Sequence, residues 1–114
     1  MKIKTAARLL PAFAAVFLFA FAAPPVYPGA KPVDQLNDAS KKAGRDDVAY
    51  NTIDSFEKVC EFYGGKGEEN QRARRAGPKE KTAMFTFKET GYVVMVGWKE
   101  SSKSNGTVFH IAKR

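Results

Sequence analysis

The residues best suited to nucleophilic chemistry in this sequence are its single thiol, Cys60, and its single imidazole, His110. Such a pair catalyses acyl transfer only if the fold brings the imidazole within reach of the thiol proton. Cys60 lies in a stripe of apolar residues, where a thiol usually packs as a small apolar group. His110 alternates with large apolar residues in a strand-like segment. We therefore predict that the chain is not an enzyme, and a small thiol enzyme using Cys60 is the least favoured hypothesis.

The sequence gives equally weak support for a metal site or a phosphate-binding loop. The close carboxylate pairs are Asp46–Asp47 and Glu68–Glu69, in predicted loops, and adjacent carboxylates more often solvate a loop than bind an ion. The glycine-rich run Gly64–Gly67 resembles a phosphate loop in composition only. A phosphate loop precedes its helix, whereas this run follows one, at the end whose dipole repels anions. We expect neither a metal ion nor a cofactor.

The first 22 residues have the three zones of a secretory signal peptide. The start is cationic, through Lys2, Lys4 and Arg8, and is followed by an apolar run and small residues. The small-x-small rule places cleavage after Ala22, and prolines at both ends of the apolar run disfavour a membrane span. Cleavage would remove three cations and lower the net charge from +7 to +4. The sequence predicts a periplasmic or secreted domain at 23–114.

A basic segment, QRARRAGPKEK, occupies residues 71–81. Guanidinium and ammonium groups bind phosphate and carboxylate, so four residues are candidate contacts for an anionic partner: Arg72, Arg74, Arg75 and Lys79. We expect no nucleic-acid partner, because an exported chain rarely meets one and the segment lacks interleaved aromatic residues for base stacking. The alternatives are a solvated loop, at 66–81, or contact with an anionic glycolipid, a polymer or an acidic protein surface.

The order of elements that must position these residues is predicted to be strand, helix and then a three-stranded meander. A turn at Pro28–Gly29 suggests a short edge strand or extended arm, and a loop or short helix follows at 34–43. Val48–Thr52 alternates like a strand. Asp54 is a candidate N-cap, with Glu57 completing a capping box, for a helix that ends at Gly64–Gly65. The helix has one apolar stripe: Phe56, Val59, Cys60 and Tyr63.

The C-terminal half has the clearest strand patterns. Three strands are predicted, with turns at Gly91 and Asn105–Gly106: Ala83–Lys88, Tyr92–Trp98 and Thr107–Ile111. The fold class is therefore α+β, an antiparallel sheet of about four strands packed on one main amphipathic helix. Both faces of the middle strand are apolar, which leaves a second face to be covered by the N-terminal arm, a second copy of the chain or a partner.

Three segments together resemble a family of small exported bacterial domains of unknown function. The segments are a VYPGA start at 26–30, a helix with the pattern T-x-D-S-x-E-x-V at 52–59 followed by Phe62–Tyr63, and the meander at 83–111. The resemblance implies a helix packed on a sheet, similar to the helix-grip domains of envelope lipoproteins. It brings no catalytic residues, and the chain lacks the cysteine that would carry a lipid anchor.

Together these features favour a non-catalytic exported domain that mediates protein interaction or self-association in the cell envelope. The apolar second face of the sheet is the main reason. The alternative is a binder of anionic glycolipid or polymer that uses the basic segment.

Overall fold

The computed structural model describes residues 23–114, so the predicted signal peptide at 1–22 lies outside the described residues. This part of the chain forms an antiparallel sheet with two α-helices. The elements are β1 (Lys31–Pro32), α1 (Asp34–Lys42), β2 (Val48–Thr52), α2 (Phe56–Gly64), β3 (Glu68–Glu69), β4 (Arg75–Ala76), β5 (Glu80–Phe87), β6 (Tyr92–Lys99) and β7 (Thr107–Lys113), with 3₁₀ turns at Gln71–Ala73 and Glu100–Asn105.

The sheet has the strand order β1-β2-β7-β6-β5-β3, and β4 also pairs with β5. The predicted α+β class with an antiparallel sheet is confirmed. The predicted count of about four strands is wrong, because the sheet has seven. The four longer strands are the predicted ones. β1 falls in the segment predicted to be a short edge strand or extended arm, and it is an edge strand. β3 and β4 were not predicted, because two residues carry no recognisable period.

The helix α2 covers one face of the sheet, which we call the helix face. Its apolar stripe packs against side chains that alternate along the long strands: Ala83, Phe85, Val94, Val96, Phe109 and Ile111. The rings of Tyr92 and Trp98 pack against the same core, as the alternation in the middle strand predicts. The opposite face, called the open face, carries the remaining side chains of these strands. None of the helices at 23–114 is long and apolar enough to cross a membrane.

The predicted cap of α2 is wrong by one residue. The N-cap is Ser55, whose hydroxyl accepts a hydrogen bond from the Lys58 amide at 3.2 Å. Asp54 instead accepts a hydrogen bond from the Tyr27 hydroxyl at 2.6 Å. Glu57 pairs with Lys81 on β5 at 2.7 Å. Both carboxylates are therefore engaged by residues distant in sequence, which local capping rules cannot anticipate.

The N-terminal arm, residues 24–30, is attached to the helix face and leaves the groove region of the open face uncovered. The hydroxyl of the buried Tyr63 donates to the Pro25 carbonyl at 2.9 Å and accepts from the Tyr27 amide at 3.0 Å. The Tyr27 ring meets Phe62 edge-on, with the centroids 5.3 Å apart. Burial raises the pKa of Tyr63, so the hydroxyl keeps its proton at neutral pH.

Replacement of Tyr63 by phenylalanine is expected to destabilise the fold by about 1–3 kcal/mol. The ring still fills the core, but the Pro25 carbonyl and the Tyr27 amide lose their shared partner. Chemical denaturation gives the loss, and hydrogen exchange at the Tyr27 amide should accelerate. Tyr92→Phe is the matched control and should change stability by less than about 0.5 kcal/mol. Equal effects of the two changes would show that the arm is not held by Tyr63.

Candidate binding site on the open face

The structure does not bring Cys60 and His110 together. Cys60 belongs to α2 and is buried on the helix face, whereas His110 alternates with the core residues Phe109 and Ile111 and lies on the open face. Burial raises the pKa of the Cys60 thiol to about 11. A thiol with that pKa remains protonated at neutral pH and is a poor nucleophile. The sheet separates the two groups that a thiol mechanism would need to pair.

Three of the four carboxylates in the acidic pairs singled out in the sequence contact other side chains of the fold. Asp47 accepts a hydrogen bond from the Ser40 hydroxyl at 2.8 Å, and Glu69 binds Arg74. Glu68 forms an exposed ion pair with Lys88. Within residues 23–114, no three His, Cys, Asp or Glu side chains are grouped closely enough to hold a metal ion.

The segment 66–81, predicted to be a solvated loop, is built into the edge of the sheet. It contains β3, a 3₁₀ turn and β4, and both strands pair with β5. The Thr82 hydroxyl also donates to the Ala73 carbonyl at 3.2 Å. The prediction failed because the segment is ordered by backbone pairing with β5 and contributes few large apolar side chains of its own.

The sheet divides the four candidate anion-binding residues. Glu69 lies opposite the core residue Phe85, so it projects on the helix face. There it accepts hydrogen bonds from Arg74 Nε and Nη2 at 2.6 and 2.8 Å. The same guanidinium lies 5.5 Å from the ring centroid of Phe56. Arg74 therefore stabilises the fold, and its charge is already paired with that of Glu69.

The other three candidates are exposed. Arg75 lies opposite Thr82 and so belongs to the open face, where its Nη1 donates to the carbonyls of Arg72 and Arg74 at 2.8 and 2.9 Å. Arg72, Arg75 and Lys79 form no ion pair within the described part of the chain. The basic segment thus has three available cations instead of a single cluster of four.

The Arg74–Glu69 contact should make the stability of the fold decrease as the pH falls into the acidic range. The bidentate hydrogen bonds from Arg74 hold the pKa of Glu69 below its usual range. A carboxylate whose pKa is lowered on folding stabilises the fold above its unfolded pKa, about 4.3, and loses that effect as the pH falls through the folded pKa. Glu69→Gln should destabilise the fold by about 1–2 kcal/mol at pH 7, since the pair is partly exposed.

Denaturation of Glu69→Gln and the unaltered chain at pH 7 and at pH 3 measures this effect. The difference between the two proteins should shrink on acidification, because the unaltered carboxylate then becomes protonated. Arg72→Ala is the control and should change stability by less than about 0.5 kcal/mol. A Glu69→Gln effect that is the same at both pH values would contradict the assignment.

A groove crosses the open face over β5, β6 and β7, with a volume of about 460 Å³. Strand register defines its floor as two rows of side chains. One row contains Thr82, Gly97 and Val108, and the next contains Met84, Met95 and His110. The two methionines are half-buried, and the floor is mainly apolar. Its size is in the range of small-ligand and side-chain sites, about 300–1,000 Å³.

Gly97 contributes no side chain to the groove floor. A Cβ built on Gly97 would meet nothing closer than the Val108 carbonyl oxygen, at 3.9 Å, which is an ordinary van der Waals contact. Its backbone φ is not positive, so the strand conformation does not require glycine. Glycine in the interior of a strand weakens it and often marks a close approach by a ligand or another chain. The residue type at 97 therefore keeps the groove open without serving the fold.

A polar cluster adjoins the groove at His110. His110 Nδ1 lies 3.6 Å from Asp47 Oδ2, and the other carboxylate oxygen accepts from Ser40 and lies 3.5 Å from Arg45 Nε. The Ser40 hydrogen bond is the main reason that the pKa of Asp47 is lowered. At 3.6 Å the histidine contact is longer than a hydrogen bond. It gives His110 a fixed negative neighbour without the tight alignment of a catalytic triad.

Comparison with known proteins identifies no relative. No protein-family model matches the chain, and neither the curated proteins nor the solved structures give a significant match. The resemblance to small exported domains therefore stays a prediction. The functional inference rests on the groove and the exposed cations beside it.

Proposed function

We propose that the chain is an exported, non-catalytic domain that binds a protein partner in the cell envelope through the groove on the open face. The observation that carries the proposal is an uncovered apolar groove whose floor contains Gly97 and two methionines. Apolar concavities at a protein surface are typical of binding sites. Methionine side chains adapt their shape to a partner, which is why they are common at such surfaces.

The paired edges of the sheet favour a partner that binds the open face over one that adds a strand. The outer edge of β2 pairs with β1. The Asn37 side chain also accepts a hydrogen bond from the Ala49 amide at 2.7 Å and donates one to the Ala49 carbonyl at 3.2 Å. The outer edge of β5 pairs with β3 and β4. A partner that adds a strand needs a free row of backbone groups. Because the outer edges of β2 and β5 are already paired, the open face is the larger surface available for a protein contact.

A different protein is a better occupant than a second copy of the chain. A two-fold dimer uses the same patch on both copies, so a dimer through this face would bring the exposed cations beside both grooves into one interface. The positive net charge of the chain adds mutual repulsion between copies. A convex apolar segment of another protein fits the groove better.

Capture from an envelope extract tests the proposal. Three baits are expressed with their own leader and a C-terminal tag: the unaltered chain, Met84→Thr/Met95→Thr, and Arg72→Ser/Arg75→Ser/Lys79→Ser. Arg74 is left in place because its loss would disturb the fold. We expect the methionine variant to lose the partner that the unaltered bait captures. Retention of the same partner by the methionine variant would contradict the proposal, and a strictly monomeric chain that captures nothing would count heavily against it.

Binding of an anionic glycolipid or polymer is a second candidate, favoured by the exposure of Arg72, Arg75 and Lys79. Attraction between exposed charges weakens as salt screens it, with a screening length of about 10 Å at 0.1 M. If this function holds, the triple basic variant alone loses its ligand, and retention by the unaltered chain falls as salt is raised. Retention that is unchanged from low to high salt would exclude this mechanism.

A further inference from the structure

We infer that the partner of the groove is a peptide segment that combines apolar side chains with an acidic residue. An apolar side chain would fill the hollow over Gly97, and the carboxylate would meet Arg75 and Lys99. The inference rests on the proposed function and specifies the chemistry of its partner.

Strand register places the two cations beside the Gly97 hollow. Thr82 lies opposite Arg75 on β4 and opposite Gly97 on β6, so the three residues form one row on the open face. Lys99 follows Gly97 by two residues in the same strand and therefore shares that face. Lys99 also lines the groove. Lys99 is therefore one same-face position from Gly97 along β6, and Arg75 lies at the rim of the groove, beyond Thr82 in the row of Gly97.

Two cations at this end of the groove have no carboxylate partner within residues 23–114. Among the described residues, neither Arg75 nor Lys99 forms an ion pair. Glu80 lies opposite Lys99 on β5 but does not pair with it. An arginine has five N–H donors, and the two hydrogen bonds of Arg75 to backbone carbonyls involve only Nη1. The end of the groove is complementary to a carboxylate.

The spacing of the hollows fits an extended peptide. Alternate side chains of an extended segment lie on one side, about 6.6 Å apart. One apolar side chain can occupy the hollow over Gly97 while the next contacts the Met84 and Met95 side chains in the adjacent row.

The test uses two synthetic heptapeptides, acetylated and amidated at their ends, that differ only in charge. The acidic probe is Gly-Glu-Ser-Leu-Ser-Leu-Gly, in which the Glu and both Leu lie on the same side of an extended chain, and the neutral probe replaces the Glu by Gln. Each is titrated into the nitrogen-15-labelled protein at low salt while the amide shifts of Gly97 and Val108 are followed. We expect the acidic probe to have a Kd about tenfold lower, equivalent to about 1.4 kcal/mol. Arg75→Ser/Lys99→Ser should remove this difference while changing the Kd of the neutral probe less than about twofold.

Equal Kd values for the two probes would overturn the inference but leave groove binding, and thus the proposed function, in place. Absence of groove shifts with both probes would also overturn it, and the capture experiment would still decide the proposed function separately. Arg75 and Lys99 are exposed, so the double variant should keep the amide spectrum of the folded chain. A spectrum that shows unfolding is resolved by testing Lys99→Ser alone, which should halve the free-energy difference between the probes.

Discussion

Gly97→Val is expected to abolish partner binding while the fold becomes as stable as before or more so. The valine methyl groups would occupy the hollow that a partner side chain needs, and a loss of at least about 30-fold in affinity, or about 2 kcal/mol, should follow. The fold should become more stable, because glycine in a strand interior destabilises the strand by about 0.5–1 kcal/mol relative to alanine, and valine favours strands. The nearest atom to the new Cβ, the Val108 oxygen, lies 3.9 Å away.

The two effects are measured together by calorimetric titration with the captured partner and by thermal unfolding of the free chain. Thr86→Val is the matched control, because Thr86 lies on the open face but outside the groove. It should change neither affinity nor stability by more than about 0.5 kcal/mol. An unaltered affinity in Gly97→Val would mean that the groove is not the binding surface.

Gly106→Ala is expected to be the most destabilising single methyl addition in the described part of the chain. Gly106 has φ 70° and ψ −138°, a region that is essentially restricted to glycine. An added Cβ would also collide with the Thr52 carbonyl. Thr52 cannot easily move, because it is buried and pairs with Thr107 in the β2–β7 register. Backbone strain and collision together should cost about 3 kcal/mol or more.

A loss of that size should lower the thermal midpoint by roughly 12–24 °C for a domain of this length. Gly44→Ala separates the collision from the backbone strain. Gly44 also has a positive φ, 71°, but its Cβ would meet nothing within 4 Å, so its substitution should cost only about 1–2 kcal/mol. Equal losses for the two variants would show that the contact between Gly106 and Thr52 does not matter for stability.

The parts of the fold that the sequence predicted are those with a long periodic pattern. Val48–Thr52 and the three C-terminal strands alternate over five or more residues, and α2 repeats its apolar residues at helical spacing. β3 and β4 could not be predicted in this way, and β1 was predicted only as a short edge strand or extended arm, from the turn at Pro28–Gly29. Each consists of two residues whose strand conformation is imposed by a neighbour that is distant along the chain.

The candidate site was predictable only in part. The apolar second face of β6 was visible in its alternation, and Gly97 inside that strand was an available signal that sequence reasoning did not use. The separation of Arg74 from Arg75 depends on β4 being a strand, since neighbouring strand residues point to opposite faces. The Asp47–His110 contact joins residues far apart in sequence, and local patterns carry no information about it.

The measurement that tests the central proposal most directly is amide hydrogen exchange of the chain with and without its captured partner. Binding through the groove predicts slower exchange at β6 and β7 around Gly97 and Val108, with no change along the exposed side of α2. Protection confined to α2, or to the basic segment at 71–81, would contradict the proposal that the open face of the sheet is the binding surface.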